Sequence, residues 1–131
     1  MKNSNFILFL VTTAVLFSCS PKKEGDWDDN IELSRKEIQF SASENSVILN
    51  TGKEGWWITQ VSLNGNSDYE QTENSDGEFF INEDEFLVER RSAKELYIEM
   101  SQNTTASERI LIIGLQSGNY FDAVTITQSA K

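Results

Sequence analysis

The sequence predicts an all-β domain, an immunoglobulin-like β-sandwich of about seven to eight strands. From residue 31 onward, short runs with apolar residues at every second position are separated by clusters of Gly, Asn, Ser and Asp. This pattern is typical of short strands joined by turns. No segment of this region shows a comparably strong apolar period of a helix. The roughly 100 residues involved match the size of one such sandwich.

Each strand is placed where apolar residues alternate between two turn signals. In chain order, the strands are predicted at residues 31–40 in two parts, 46–50, 56–63, 79–82, 86–90, 96–100, 108–115 and 121–128. The segment Asn64 to Glu78 is polar, contains glycine and lacks an apolar period. It is therefore predicted to be a long loop.

Two of these strands predict which side chains are buried. In the strand 56–63, Trp57 and Val61 share one face, so we expect Trp57 in the core and Trp56 towards solvent. The strand 108–115 is apolar on both of its faces. This composition predicts a central strand that is covered on both sides.

The N-terminal segment resembles a secretory signal peptide. Lys2 gives it a positive start, and the apolar run from Phe6 to Phe17 is too short to span a bilayer. The only cysteine, Cys19, follows a small residue directly after this run, as in the lipobox of bacterial lipoproteins, where the thiol is acylated. The predicted organisation is a signal peptide over 1–18, an acylated cysteine and flexible tether over 19–30, and the sandwich over 31–131. We therefore expect a lipid-anchored outer-membrane protein on the periplasmic or cell-surface side, attached to the membrane through its N-terminal lipid.

Composition excludes several classes of function. The chain has 21 acidic and 11 basic side chains, a net charge of −10, which argues against nucleic acid as a partner. It has no histidine and a single cysteine, so it offers no Ser-His pair, no internal disulfide and no zinc site. The acidic clusters, such as Glu83 to Glu85, lack the spacing of a calcium loop. We expect no catalytic residues, no metal and no cofactor, and hence a protein that is not an enzyme.

Strand topology predicts one candidate ligand site. In such a sandwich, the turns at 51–55, 90–94 and 116–120 meet at one end. Aromatic faces stack on the C–H faces of sugars, while amides and guanidinium groups bind hydroxyls. The side chains of this kind at that end are Trp56, Arg90, Arg91, Gln116, Asn119 and Tyr120. The alternative is that Trp56 and Tyr120 only pack against the sandwich.

Several short stretches carry a family resemblance. They are Leu33 to Ile38, Trp57-Ile58, Asn103 to Thr105, Glu108-Arg109 and Val124 to Gln128. Together they resemble the BACON domains and BACON-like lipoproteins of Bacteroidetes, and the resemblance covers Ile31 to Gln128. It implies an immunoglobulin-like sandwich and a role in glycan or mucin attachment, but it transfers no site residue.

The expected function is therefore that of a lipid-anchored cell-envelope module that binds a neutral polysaccharide or mucin glycan, or serves a glycan-handling complex. The alternative is a structural or protein-interaction lipoprotein with an envelope protein as its partner and no carbohydrate ligand. A solvent-facing Trp56 beside Tyr120 favours sugar, whereas a buried Trp56 with an open sheet edge favours a protein partner.

Overall fold

The computed structural model describes residues 28–131, which form two β-sheets packed as a sandwich. The predicted fold class is confirmed. The strands are β1 (Glu37–Phe40), β2 (Asn45–Asn50), β3 (Trp57–Leu63), β4 (Thr72–Glu73), β5 (Phe79–Asn82), β6 (Phe86–Ser92), β7 (Glu95–Met100), β8 (Arg109–Ser117) and β9 (Tyr120–Gln128). Within residues 28–131, no helix is long and apolar enough to cross a membrane.

The two sheets differ in the number of strands and in the direction of strand pairing. The four-stranded sheet has the order β1-β9-β8-β3, and the five-stranded sheet has the order β2-β7-β6-β5-β4. β1 pairs with β9 in parallel, whereas the other pairs are antiparallel. β3 is thus an edge strand of the first sheet, and the two-residue β4 is an edge strand of the second.

The core fills the space between the sheets. Its fully buried side chains come from alternate positions of both sheets and include Leu49, Val88, Leu96, Ile98, Met100, Leu111, Ile113, Leu115, Val124 and Ile126. Gln128 and Asn103 are also buried, and both side chains are hydrogen-bonded. The Asn103 amide donates to the carbonyls of Ser107 at 2.8 Å and Ser129 at 3.0 Å. Asn103 therefore has a structural role, because its amide satisfies backbone carbonyls that the turn leaves unpaired.

The predicted faces of the third strand are wrong for its tryptophans. Trp56 is 2% exposed and Trp57 is 46% exposed. The reason is a β-bulge, since the register against β8 shifts between Ile58 and Gln60. The extra residue, Thr59, reverses the alternation, so side chains of even number face the core before the bulge and those of odd number face it afterwards.

The prediction that the strand 108–115 is covered on both sides is also wrong. Leu111 and Ile113 are fully buried, but Ile110 and Ile112 are 37% and 41% exposed. A two-layer sandwich covers each sheet on one face only, and no strand among residues 28–131 packs on the outer face of β8. Two isoleucines therefore remain on the surface.

Two smaller differences concern the loops. The predicted loop 64–78 contains the short strand β4, which pairs with β5. In the first predicted strand, Leu33 makes only an isolated bridge to Thr51, and the regular strand begins at Glu37.

Contacts with the sandwich already begin at Asp29, within the segment predicted as the tether. Its carboxylate accepts hydrogen bonds from the N–H groups of Ile31 and Glu32 at 2.9 and 2.7 Å. The predicted signal peptide and Cys19 lie outside the described residues.

Candidate ligand-binding surface

The three turns expected to form one end of the sandwich are neighbours in the structure. The Ser117 hydroxyl donates to the Gly55 carbonyl at 2.9 Å, and the Thr51 N–H donates to the Lys94 carbonyl at 2.9 Å. Arg90 donates to the Glu54 carbonyl at 2.9 Å. The expected loop cluster is therefore present, and what differs is which side chains it exposes.

Trp56 is not available to a ligand at this end. Its indole N–H donates to the Thr51 hydroxyl at 2.9 Å, and the ring is buried in the core. The Arg90 guanidinium covers the ring at 4.5 Å and forms an ion pair with Glu78 at 2.8 Å. Trp56 and Arg90 are thus brought together as predicted, but they bind each other. The expectation of a solvent-facing Trp56 in the site is wrong.

The other predicted side chains are divided between surfaces. Arg91 lies on the outside of the five-stranded sheet, stacked on Tyr97 at 3.4 Å and paired with Glu89 at 3.0 Å. Asn119 is exposed in the β8–β9 turn. Gln116 is half-buried at the end of β8, on the four-stranded sheet. The six predicted residues therefore do not form one site.

Tyr120 is half-buried and packs against the core. Its hydroxyl donates to the Asp122 carboxylate at 3.3 Å. Burial raises the pKa of this phenol above its usual range, and the negative charges of Asp122 and Asp29 raise it further. The phenol therefore stays neutral at physiological pH, and most of the ring is engaged by the protein.

A different set of side chains forms a continuous row on the outer face of the four-stranded sheet. Trp57 on β3 and Phe121 on β9 are both register partners of Gln116 on β8. Trp57 is 46% exposed and Phe121 is 66% exposed. Because they lie two strand spacings apart, their Cα atoms are separated by about 10 Å. Two exposed aromatic rings thus flank one amide.

The part of this face that β3, β8 and β9 form carries no charge, whereas β1 adds the exposed Glu37 beside Thr125. We call that uncharged part the β3–β8–β9 face. It comprises Trp57, Gln60, Ser62, Ile110, Ile112, Gly114, Gln116, Phe121, Ala123, Thr125 and Thr127. The outside of the five-stranded sheet carries Glu89, Arg91 and Glu99 instead. An uncharged face in a chain of net charge −10 is a local departure from the composition.

Gly114 leaves space for the Thr59 side chain in the middle of the face. It is the register partner of Gln60, directly beside the bulge, and of Ala123 on β9. A Cβ atom added at Gly114 would lie 3.0 Å from the Thr59 hydroxyl oxygen. The Thr59 side chain therefore lies over the glycine, whereas the backbone nitrogen of Gln60 is 3.8 Å from the added Cβ, an ordinary contact distance.

Sequence reasoning missed Trp57 and Phe121 for different reasons. Phe121 lies at an odd-numbered position of a strand whose core residues, Val124 and Ile126, are even-numbered. The alternation therefore contained the signal that Phe121 points outward. No such signal exists for Trp57, because no residue pattern in the sequence indicates the bulge at Thr59 that reverses the alternation.

Comparison with known proteins supports the fold. No family model matches the sequence, and no curated protein does. A solved structure, described as the NMR structure of the protein from Bacteroides thetaiotaomicron, superposes with a TM-score of 0.63. The match covers 79% of this chain and 90% of that one, at 21% sequence identity. The likeness shows the fold. At this level of identity it carries no information about ligand or activity.

Proposed function

We propose that this protein is a non-catalytic, lipid-anchored module of a Bacteroidetes-type cell envelope, related to the BACON-like lipoproteins, that binds a neutral glycan. The binding surface is the β3–β8–β9 face and not the loop end expected from the sequence. One observation carries the proposal: Trp57 and Phe121 are exposed in the same cross-strand row, with Gln116 between them.

The chemistry of the row fits a sugar chain. An aromatic ring offers an apolar, electron-rich face to the C–H face of a pyranose. Gln116 donates from its side-chain nitrogen to the Gly118 carbonyl at 2.8 Å, which fixes the amide. Its side-chain oxygen accepts no hydrogen bond from residues 28–131, so it is free to accept from a sugar hydroxyl. Two rings about 10 Å apart therefore support a chain that lies across the strands.

Charge sets the class of glycan. The face itself is uncharged, and the chain around it is strongly acidic. A sulfated or uronic-acid polymer is repelled by this field, whereas a neutral polysaccharide is not. We therefore expect a neutral plant or host glycan.

A glycan array probed with the full chain, purified in detergent, tests the proposal. Binding to a neutral glycan should weaken by about tenfold in Trp57→Ala and in Phe121→Ala, with the fold intact by circular dichroism. Ile48→Ala is the matched control, because Ile48 has the same 46% exposure as Trp57 but lies on the other sheet. Binding of the neutral glycan by Ile48→Ala should be unchanged. An array without hits, tight binding to a sulfated glycan, or binding indifferent to both aromatics would contradict the proposal.

The second candidate is a protein-interaction module. A buried Trp56 beside an open edge at β3 was the arrangement expected of such a module. In addition, Ile110 and Ile112 extend the aromatic row into an apolar patch, a typical feature of protein contact surfaces. Capture of a defined envelope protein that is lost in Ile112→Ser, together with an array without hits, would favour this candidate.

A further inference from the structure

The free edge of β3 borders a groove that shares Trp57 and Gln60 with the proposed glycan face and otherwise lies apart from it. Leu63 exchanges backbone hydrogen bonds with Asn66 at 2.9 Å, so its N–H and C=O point away from β8. Backbone groups of alternate residues in an antiparallel strand point the same way, so those of Val61 also face this edge. Beyond Asn66, no strand among residues 28–131 pairs with that side of β3. Val61 thus presents an unpaired donor and acceptor.

The groove runs along this edge in two adjoining parts. One part, of about 140 Å³, lies between Thr59 to Val61 and the segment that contains Ser67 and Tyr69. The other, of about 230 Å³, lies between Trp57-Ile58 and the β4–β5 hairpin. Gln71 and Phe79 line both parts, so the two parts are neighbours. Tyr69 packs on Phe86 with ring centroids 5.0 Å apart and lies near Leu63, so the open stretch of the β3 edge runs from Trp57 to Val61.

The outer wall of the groove is the segment 64–78, which contains no Lys or Arg. Its acidic residues are Asp68, Glu70, Glu73, Asp76 and Glu78, of which Glu73 and Glu78 line the groove beside Trp57-Ile58. The part of the groove beside Val61 has no charged lining residue. Arg90 is the one cation among the described residues that line the groove, and it is bonded to Glu78. The wall thus has an excess of negative charge, and a cationic occupant is favoured.

We propose that the β3 edge and this groove bind an extended peptide segment of a partner protein, rich in lysine or arginine, as an added strand. Main-chain hydrogen bonds to the edge of β3 would supply affinity, and the side chains of alternate residues would point towards the acidic segment 64–78. A second copy of this chain is a poor occupant, because its own β3 edge carries the same acidic wall. The like charges would repel.

Selection from a library of short random peptides on the full chain, in detergent, tests the inference. The peptides retained should carry lysine or arginine at alternate positions and lack proline. A synthetic copy of one of them should lose at least about tenfold in affinity when the amide facing β3 is N-methylated, and little when its neighbour is. Methylation removes one donor without changing any side chain, so it separates strand addition from simple charge attraction.

Protein variants locate the site. Glu73→Lys, in the groove lining, should weaken binding of the peptide about tenfold, whereas Glu44→Lys, an exposed site in the β1–β2 loop, should change it little. Phe121→Ala removes part of the glycan face but does not line the groove, so peptide binding should survive it. Peptides without basic residues, indifference to N-methylation, or no retained peptide would overturn the inference. A dimer trapped by oxidation of Thr59→Cys would overturn it as well, because a second copy would then occupy the edge.

Discussion

The Arg90 guanidinium lies 4.5 Å from the centroid of the Trp56 ring and covers its face. Trp56 leads into β3 of the four-stranded sheet, and Arg90 belongs to β6 of the five-stranded sheet, so this cation–π contact joins the two layers. The same guanidinium also bonds Glu78 and the Glu54 carbonyl. Its Nε atom is buried and has no hydrogen-bond partner among residues 28–131. The contact between Trp56 and Arg90 is therefore a packed junction, and the Trp56 ring is not open to a ligand.

The two adjacent tryptophans should differ sharply in their effect on stability. Trp56→Ala removes a fully packed ring and the aromatic face that the Arg90 guanidinium covers. It should lower the free energy of unfolding by about 3 to 5 kcal/mol. Trp57→Ala, at a site that is 46% exposed, should cost less than about 1 kcal/mol. Urea denaturation of both variants measures the difference. Equal losses would mean that the faces of β3 are not as described.

Adding one methyl group at Gly114 should destabilise the protein moderately. Gly114→Ala places a Cβ atom 3.0 Å from the Thr59 hydroxyl and should cost about 1 kcal/mol of unfolding free energy. In a Thr59→Ala background, much of that cost should disappear, as a double-mutant cycle would show. Gly55→Ala is the control, because no atom lies within 4 Å of its added Cβ. An additive cycle would show that Thr59 does not press on Gly114.

Stability at acidic pH should depend on Asp29. Burial acts to raise the pKa of this carboxyl, but hydrogen bonds from the Glu32 and Ile31 N–H groups and the charge of Lys36 outweigh it, so the pKa lies below its usual value of 3.8. A lowered folded-state pKa stabilises the protein above pH 3.8, and this contribution is lost as the pH falls through the folded-state value.

Asp29→Asn keeps the accepting oxygen and removes the charge, so it is the variant to test. Its unfolding free energy should fall less steeply below pH 4 than that of the parent, roughly in the window that linkage assigns to a carboxylate. Glu44→Gln removes one exposed charge at a site without an ion pair among residues 28–131, and serves as the control. Parallel curves for Asp29→Asn and the parent protein would contradict the role of Asp29.

Membrane attachment should depend on Cys19. The apolar run before it is too short to span a bilayer, so two or three acyl chains on this thiol are the expected anchor. Cys19→Ala should move the protein from the detergent phase to the aqueous phase in phase separation of cell extracts. Ser18→Ala keeps a small residue before the cysteine and should remain attached. A Cys19→Ala protein that still partitions wholly with detergent would disprove the lipid anchor.

The sequence by itself determined the class of fold and the position of most strands. Alternation of apolar residues is a local property, and turn residues bound each run, so β5 to β9 begin and end close to where the pattern predicts. It also determined that the turns at 51–55, 90–94 and 116–120 meet, because strand order in a sandwich leaves few alternatives. The same alternation contained the signal that Phe121 points outward, although the prediction did not use it.

Only the tertiary structure decided which tryptophan is buried. The bulge at Thr59 arises from pairing between β3 and β8, where Gly114 leaves space for the Thr59 side chain, and such pairing leaves no local period in the sequence. The number of packed layers likewise determines the exposure of Ile110 and Ile112, because an apolar residue is buried only if another element covers it. For this reason the candidate binding face, with Trp57, Gln116 and Phe121 in one row, emerges from strand pairing and not from composition or spacing.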